Sequence, residues 1–450
     1  MANRLPPEVL AEIFSFRCDD RDLISATHVC ERWRSTLLSI PLLWTQVVFG
    51  DPDRASTYLE RSKGTSLHVS LGGSALDSPI GDMSWIDRTN SLCIIGDQGQ
   101  MESIAGQLCL PAPVLRSLTF SIPPQNRSVV GDFIQIPPEF LGRQVPSLRN
   151  LTFLSVSPYP VTSVPLQHLT NLQWTDSEFL IGELLDLLES APLLEVATLK
   201  FGGGSVSPEP WRFVTLSKLR KLVWDTRARF SLMRFLVTPK LDDLTIGLSY
   251  NHSTDDPSIV LSPHREHCPL LVEPTALRYV CRGVTRTWNF AHVNGSLTIS
   301  ESPDAYVGLP SPDRWLSPTT PISFGSVKQL VVEGFNSLPL PGNIPIEQFG
   351  SLESLKLVGE VHRLLEILQP DGNATKGVLP VPLLSHLELR AAIAADGFPF
   401  GMLTEILRER EEAGCGVGTL HIVGWYGEYP SEAASELAGL VGVLMLDVED

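Results

Sequence analysis

A six-residue unit of the form apolar-x-x-Leu-x-apolar recurs along this chain and limits what it can fold into. Its second apolar position is leucine in all ten copies. Short alternating segments of this kind are typical of β-strands with a buried face. The copies are Leu115-Leu118-Phe120, Leu148-Leu151-Phe153, Leu169-Leu172-Trp174, Val196-Leu199-Phe201, Leu219-Leu222-Trp224, Leu241-Leu244-Ile246, Val327-Leu330-Val332, Leu352-Leu355-Leu357, Leu384-Leu387-Leu389 and Val417-Leu420-Ile422.

The spacing of the copies favours a repeat architecture. Most copies begin 21 to 33 residues after the previous one, and one interval of 86 residues contains degraded copies at 277–280 and 297–299. Leucine-rich repeats return every roughly 20–29 residues. We therefore predict an α/β fold in which residues 50–450 form an irregular leucine-rich-repeat solenoid. The alternative is an ordinary α/β domain of another topology, because a chain that is 43% apolar produces such units by chance.

Helical segments between the copies support parallel strands with outer helices. Their apolar residues return about every 3.6 positions, and they lie at 178–192, 230–237, 361–369 and 402–410. The asparagine that closes a regular leucine-rich repeat is missing after the strands, so we expect irregular curvature. Two polar, turn-rich stretches, near 251–275 and 300–322, are predicted long loops. Such loops are either binding segments or tolerated surface insertions.

The first fifty residues have a different pattern, which predicts three short helices. LPPEVLAEIF begins with prolines suited to a first helical turn and continues with apolar residues at helical spacing. DLISATHVCERWR supplies the next two helices, and PLLW follows as a short apolar hook. Three helices of this size bury little apolar area alone. We therefore expect them to gain stability from a neighbouring domain or a partner.

These segments, with PLLWTQVVF after them, resemble the F-box of cytosolic substrate receptors over residues 5–49. The resemblance is closest to the versions abundant in mushroom-forming fungi, and the VCxxWR element is its most specific part. It continues weakly through YLERSKGTSLHVSL. The resemblance implies that residues 1–49 dock onto a Skp-type linker protein, which joins a cullin scaffold.

By the same resemblance, apolar side chains of the three helices would fill pockets on the linker. The alternative is that they form only the core of a small helical cap. The residues implied in linker binding are Leu5, Pro6, Leu10, Ile13, Phe14, Leu23, Val29, Cys30 and Trp33.

A target-binding surface is expected on the sheet face that carries the residue after each fixed leucine. In strands of this type, that residue faces the concave side of the solenoid. The set has no single charge sign, so a merely solvated sheet face is an equal alternative. Its members are Thr119, Thr152, Gln173, Lys200, Val223, Thr245, Val331, Lys356, Glu388 and His421.

Composition excludes several other functions. The formal net charge of −17 disfavours nucleic-acid binding, and we find no basic face suited to a membrane. We expect no secretory signal, and seven scattered cysteines favour a reducing cytoplasmic or nuclear location. No catalytic motif is recognisable, so we expect no enzyme and no cofactor. His264, His267 and Cys268 lack a second ligand cluster at zinc-site spacing, so no metal site is predicted.

Three functions remain open. The first is a substrate adaptor of an SCF-type cullin ubiquitin ligase, which holds a protein target for degradation. The second is a scaffold that binds the linker or other proteins without promoting degradation. The third is a plain interaction domain with an incidental helical cap.

Overall fold

The chain folds into α-helices and mostly parallel β-strands, arranged in two compact units, Met1–Pro210 and Trp211–Asp450. The structure is a computed structural model. It describes residues 6–15, 20–72, 82–123, 133–159, 166–177, 181–201, 212–226, 235–250, 270, 274–282, 285–293, 295–303, 324–335, 348–359, 365, 368, 381–391, 398–425 and 431–448.

The first unit begins with helices and continues into strands. Its helices are α1 (Pro7–Ser15), α2 (Asp20–Thr27), α3 (Glu31–Ser39), α4 (Pro52–Arg61), α5 (Gln98–Gln107) and α6 (Ile181–Glu189). Its strands are β1 (Gln46–Val48), β2 (Leu67–Gly72), β3 (Thr89–Ile95), β4 (Ser117–Ser121), β5 (Phe133–Gln135), β6 (Asn150–Leu154), β7 (Ser157–Tyr159), β8 (Asn171–Ser177) and β9 (Val196–Phe201).

The second unit is dominated by strands. They are β10 (Val214–Thr215), β11 (Lys221–Thr226), β12 (Leu236–Val237), β13 (Asp243–Tyr250), β14 (Ala276–Arg282), β15 (Thr285–His292), β16 (Gly295–Pro303), β17 (Gln329–Phe335), β18 (Ser354–Gly359), β19 (His386–Ala391), β20 (Thr419–Trp425) and β21 (Val443–Val448). Its helices are α7 (Phe400–Glu412) and α8 (Ser431–Leu440). Among the residues described, none of the helices combines the length and apolar character needed to cross a bilayer.

Parallel pairing joins most of the strands in each unit. In the first unit the order is β1, β2, β3, β4, β6, β8, β9, and in the second unit β17 to β21 follow one another in chain order. The expected α/β fold with parallel strands is confirmed. Strands β2 and β3 precede the first predicted copy, and β21 follows the last.

The apolar positions of the repeating unit form continuous rows through the core. Leu118 pairs with Leu151, which pairs with Leu172, and every one of these side chains is at most 2% exposed. One row further along, Phe120 stacks on Phe153 with ring centroids 5.7 Å apart. These stacked rows bury the apolar side chains of neighbouring strands against one another.

A β-turn that sequence reasoning missed precedes at least nine strands. In each turn the backbone N–H of the fourth residue donates to the carbonyl of the first at 2.9–3.3 Å, and both end residues are buried. Proline often occupies the second position, as in Pro113 and Pro146, where its fixed φ favours the turn. The turns begin at Ala112, Val145, Leu166, Ala191, Leu216, Thr238, Phe324, Phe349 and Val381.

One predicted copy is out of register. The unit Val196-Leu199-Phe201 is wrong, because Leu172 pairs with Ala197 and Trp174 pairs with Leu199. The turn ending at Leu194 sets the start of the strand two residues earlier than predicted. The sequence pattern required leucine at the second apolar position, so it missed the small apolar residue Ala197.

The long interval between copies contains three strands in an order that departs from a regular repeat. β13 pairs in parallel with β16, β16 and β14 each pair antiparallel with β15, and β14 pairs in parallel with β17. The two degraded copies lie on β14 and β16. The strand between them runs in the opposite direction, so it is a hairpin strand and not a repeat.

The predicted helices and loops agree only in part with the structure. Helix α6 lies within 178–192 and α7 contains 402–410, as predicted. The predicted helix at 230–237 is wrong at 236–237, which form β12 paired with β10. Residues 300–303 belong to β16 rather than to a loop, because β13 and β15 bond to both of its edges. The remainder of 300–322 lies outside the described residues, as do most of 251–275 and 361–369.

A matched pair of glycines near the C-terminal end gives a stability prediction. A Cβ on Gly442 would lie 2.8 Å from the Gly418 carbonyl oxygen, which accepts the Val443 N–H at 2.8 Å. Gly442→Ala should therefore open the start of the β20–β21 pairing and lower the free energy of unfolding by about 1–3 kcal/mol. Gly439 lies in α8 with nothing within 4 Å, so Gly439→Ala should stabilise by roughly 0.5–1 kcal/mol. Urea titration of both variants would test this, and equal effects would contradict it.

Candidate partner-binding site

The three N-terminal helices pack into a cap with its own small core. Leu10 is 1% exposed, Leu23 is 5% exposed and Leu37 is fully buried. Phe14 lies edge-on to Trp33 with ring centroids 5.5 Å apart. These contacts place one apolar stripe of each helix inside the cap.

Trp44 joins the cap to α4. Its side chain is fully buried, and its indole N–H donates to the Leu37 carbonyl at 3.0 Å. The indole meets Tyr58 edge-on at 5.0 Å, and the Arg61 guanidinium lies 4.4 Å above it. Residues 46–48 then enter the sheet as β1, so the cap is continuous with the strands behind it.

A second set of apolar side chains in the cap points into solvent. Val9 is 37% exposed, Ile13 is 49% exposed, Val29 is 61% exposed and Leu42 is 70% exposed. Val9 and Ile13 are four residues apart and share one face of α1. A cap this small gains nothing from exposing four large apolar side chains, so this set, the exposed apolar set, has the character of a binding surface.

Comparison with known proteins agrees with this geometry at the N-terminal end. The model of the F-box-like family matches residues 2–50. The chain carries an F-box-like domain. No curated protein matches the chain.

The nine predicted linker-binding residues differ in how exposed they are in the F-box-like domain. Pro6, Ile13 and Val29 are exposed, whereas Phe14, Cys30 and Trp33 are half-buried and partly accessible. Leu10 and Leu23 lie inside the cap, where they stabilise the three helices and are not accessible to a partner in this conformation. Leu5 lies outside the described residues. Val9 and Leu42 are exposed members that the prediction left out.

Helical spacing alone could not show that Val9 should be included among the predicted linker-binding residues. Val9 and Leu10 are adjacent apolar residues of one stripe, and the sequence alone does not show which of the two faces inward. The packing of α1 on α3 decides it, because Leu10 and Phe14 face α3 while Val9 and Ile13 face away. Leu42 could have been found from its position between Pro41 and two buried residues.

In each unit, the predicted target-binding residues lie on one face of the strands, in rows across neighbouring strands. Thr119 pairs with Thr152 and Thr152 with Gln173 in the first unit. In the second unit Val223 pairs with Thr245, and Val331, Lys356, Glu388 and His421 form a row across β17 to β20. Lys200 lies on the same face but outside this row. Gln173 pairs with Thr198, two residues before Lys200. Whether this face binds a target stays a prediction.

Charged side chains on this face pair with one another. Lys356 lies 2.6 Å from Glu388, and His421 lies 2.7 Å from Asp447. No group of acidic, histidine and cysteine side chains suited to a metal ion occurs among the residues described. The HREHC segment lies outside them.

Proposed function

We propose that this protein is a substrate-recognition subunit of an SCF-type cullin ubiquitin ligase. The F-box-like domain would bind a Skp-type linker, and through it a cullin. The observation that carries the proposal is the exposed apolar set on a domain that matches the F-box-like family. Apolar anchors of this kind concentrate binding energy in a few side chains that a partner buries.

The parallel strands behind the F-box-like domain are, in this proposal, an irregular leucine-rich-repeat solenoid. The repeated turn, the strand registers and the buried leucine rows support it. The strand face that carries Thr119 and Thr152 in the first unit, or the one that carries Lys356 in the second, would hold a protein target. The protein itself would be non-catalytic, and the target would gain a high effective concentration near a ubiquitin-loaded enzyme. We infer a cytoplasmic or nuclear location, where such ligases act.

Co-expression with a Skp-type linker tests the proposal. The full chain should co-purify with the linker as a stoichiometric complex. Ile13→Asp introduces a charge that the complex would bury, so it should weaken linker binding by about thirtyfold or more. The side chain is 49% exposed in the free protein, so thermal stability should change little. Surface plasmon resonance with immobilised linker gives the affinity, and calorimetry gives the stability.

The matched control is Val293→Asp in the second unit, where Val293 is 85% exposed. This variant should bind the linker like the unaltered chain. Equal binding by the Ile13 and Val293 variants, or no complex with the unaltered chain, would sink the proposal. In cells, a protein that accumulates when Ile13→Asp replaces the unaltered chain would be a degraded target. If the complex forms and no protein accumulates, the non-degrading scaffold is favoured.

A further inference from the structure

A separate cavity of about 230 Å³ lies beside the F-box-like core, between α2, α3, α4 and the turn that carries Trp44. Its floor is aromatic, since Trp44 is fully buried and Tyr58 is 3% exposed. Three arginines, Arg34, Arg54 and Arg61, also line it. The cavity is therefore apolar below and cationic around its sides.

The positive charge of this cavity is unusual for the chain. The formal net charge is −17, yet among the residues that the structure describes the lining contains three arginines and no aspartate or glutamate. Three guanidiniums around one small space repel one another. A bound anion would remove that repulsion.

Stacking holds two of the arginines in place. The Arg61 guanidinium carbon is 4.4 Å from the Trp44 ring centroid, and that of Arg54 is 5.5 Å from the Tyr58 ring centroid. A guanidinium over an aromatic ring uses its flat face for the cation–π contact, while its N–H groups point outward in its own plane. For Arg61, this arrangement would leave N–H groups for an oxyanion.

The donors of Arg34 and Arg61 are also available. Within the part of the chain that the structure describes, neither side chain has an ion pair or a hydrogen bond. The two threonines of the lining, by contrast, donate to backbone carbonyls, Thr27 to Ile24 at 2.6 Å and Thr57 to Asp53 at 2.9 Å. Recognition of an anion here would thus come from the guanidiniums.

We propose that this cavity binds a small phosphate-bearing molecule. A phosphate group carries close to two negative charges and three acceptor oxygens, which matches several guanidiniums better than a carboxylate with one charge does. The cavity volume of about 230 Å³ is far above the roughly 10–15 Å³ that one water molecule needs by the same measure, so it has room for a small polyatomic anion. The site does not depend on linker binding, so it can be tested on the protein alone.

Isothermal titration of the full chain with inorganic pyrophosphate, inorganic phosphate and citrate tests the site. Pyrophosphate should bind most tightly and citrate most weakly. Arg34→Gln should weaken pyrophosphate binding by about tenfold or more, because a charge-assisted bidentate contact is lost. Arg34→Lys keeps the charge and loses the planar fork, so its affinity should fall between the two.

Arg32→Gln is the matched control, since Arg32 is an exposed neighbour on α3 that does not line the cavity. Its pyrophosphate affinity should equal that of the unaltered chain. Arg61→Gln, checked for folding by circular dichroism, should weaken binding at least as much as Arg34→Gln. The proposal is overturned if pyrophosphate fails to bind at millimolar concentration, if Arg34→Gln and Arg32→Gln behave alike, or if citrate binds as tightly as pyrophosphate.

Discussion

Replacement of Arg410 by alanine is expected to lower the free energy of unfolding of the second unit by about 2–4 kcal/mol. Arg410 lies in the last turns of α7 and is only 2% exposed, although it is charged at neutral pH. Burial lowers the pKa of the guanidinium, and Cys415 nearby has an opposing, smaller effect. The methylene stem packs in the core while the head donates to backbone.

The acceptor of that hydrogen bond explains the size of the effect. Arg410 Nη2 donates to the Val381 carbonyl at 2.8 Å. Val381 has φ 51°, a left-handed conformation that is costly for a β-branched residue. Its turn leads into β19 through Leu384. Without the arginine, a buried carbonyl loses a charged donor and a strained turn loses a contact that holds it.

Hydrogen exchange resolved by peptide would measure this effect locally. Protection in β19 and α7 should fall in Arg410→Ala. The matched control is Arg408→Ala on the same helix, where Arg408 is half exposed and pairs with Glu436. An exposed pair contributes at most about 1 kcal/mol. A loss of protection no larger than that of the control would show that Arg410 does not hold the turn.

Trp44→Ala is the second change with a large expected effect. It should destabilise the segment from α3 to α4 by about 3–5 kcal/mol, the usual cost of removing a large buried aromatic side chain. Three contacts disappear together, namely those with the Leu37 carbonyl, the Tyr58 ring and the Arg61 guanidinium. Exchange protection of α3 and α4 should fall, and the Arg61 side chain should lose its fixed position.

Leu42→Ala is the control for Trp44, two residues away in the same turn. Leu42 is 70% exposed, so its truncation should change stability by no more than about 0.5 kcal/mol. Differential scanning calorimetry of both variants, without the linker, measures the effect of each substitution on stability alone. Equal melting temperatures for the two would contradict the role given to Trp44.

The strands could be predicted because burial in a parallel sheet imposes a strict spacing on apolar side chains. Leu118, Leu151 and Leu172 stand out because each fills the same layer of the core. The failure at β9 has the same cause, since Ala197 fills that layer with a smaller side chain. The order of β14 to β16 could not be predicted, because spacing along the chain carries no information on strand direction.

For the F-box-like domain, the sequence predicted which helices form and which residue types they contain. It did not separate Leu10 inside the cap from Ile13 outside it, since that depends on how α1 packs on α3. The arginine cavity escaped sequence reasoning entirely. Arg34 lies on α3, whereas Arg54 and Arg61 lie on α4, and only the fold around Trp44 brings the two helices to one place.

The reversed order of β14, β15 and β16 has a consequence for how the second unit acquires its structure. During synthesis β13 emerges well before β16, the strand that pairs with its edge. A strand that pairs with the preceding strand in the chain can add to a growing sheet at once, whereas the second edge of β13 is covered only after β14, β15 and β16 have all been made. The edge of β13 therefore stays unpaired for longer than an edge that pairs with the next strand in the chain, and an unpaired strand edge is open to wrong pairing.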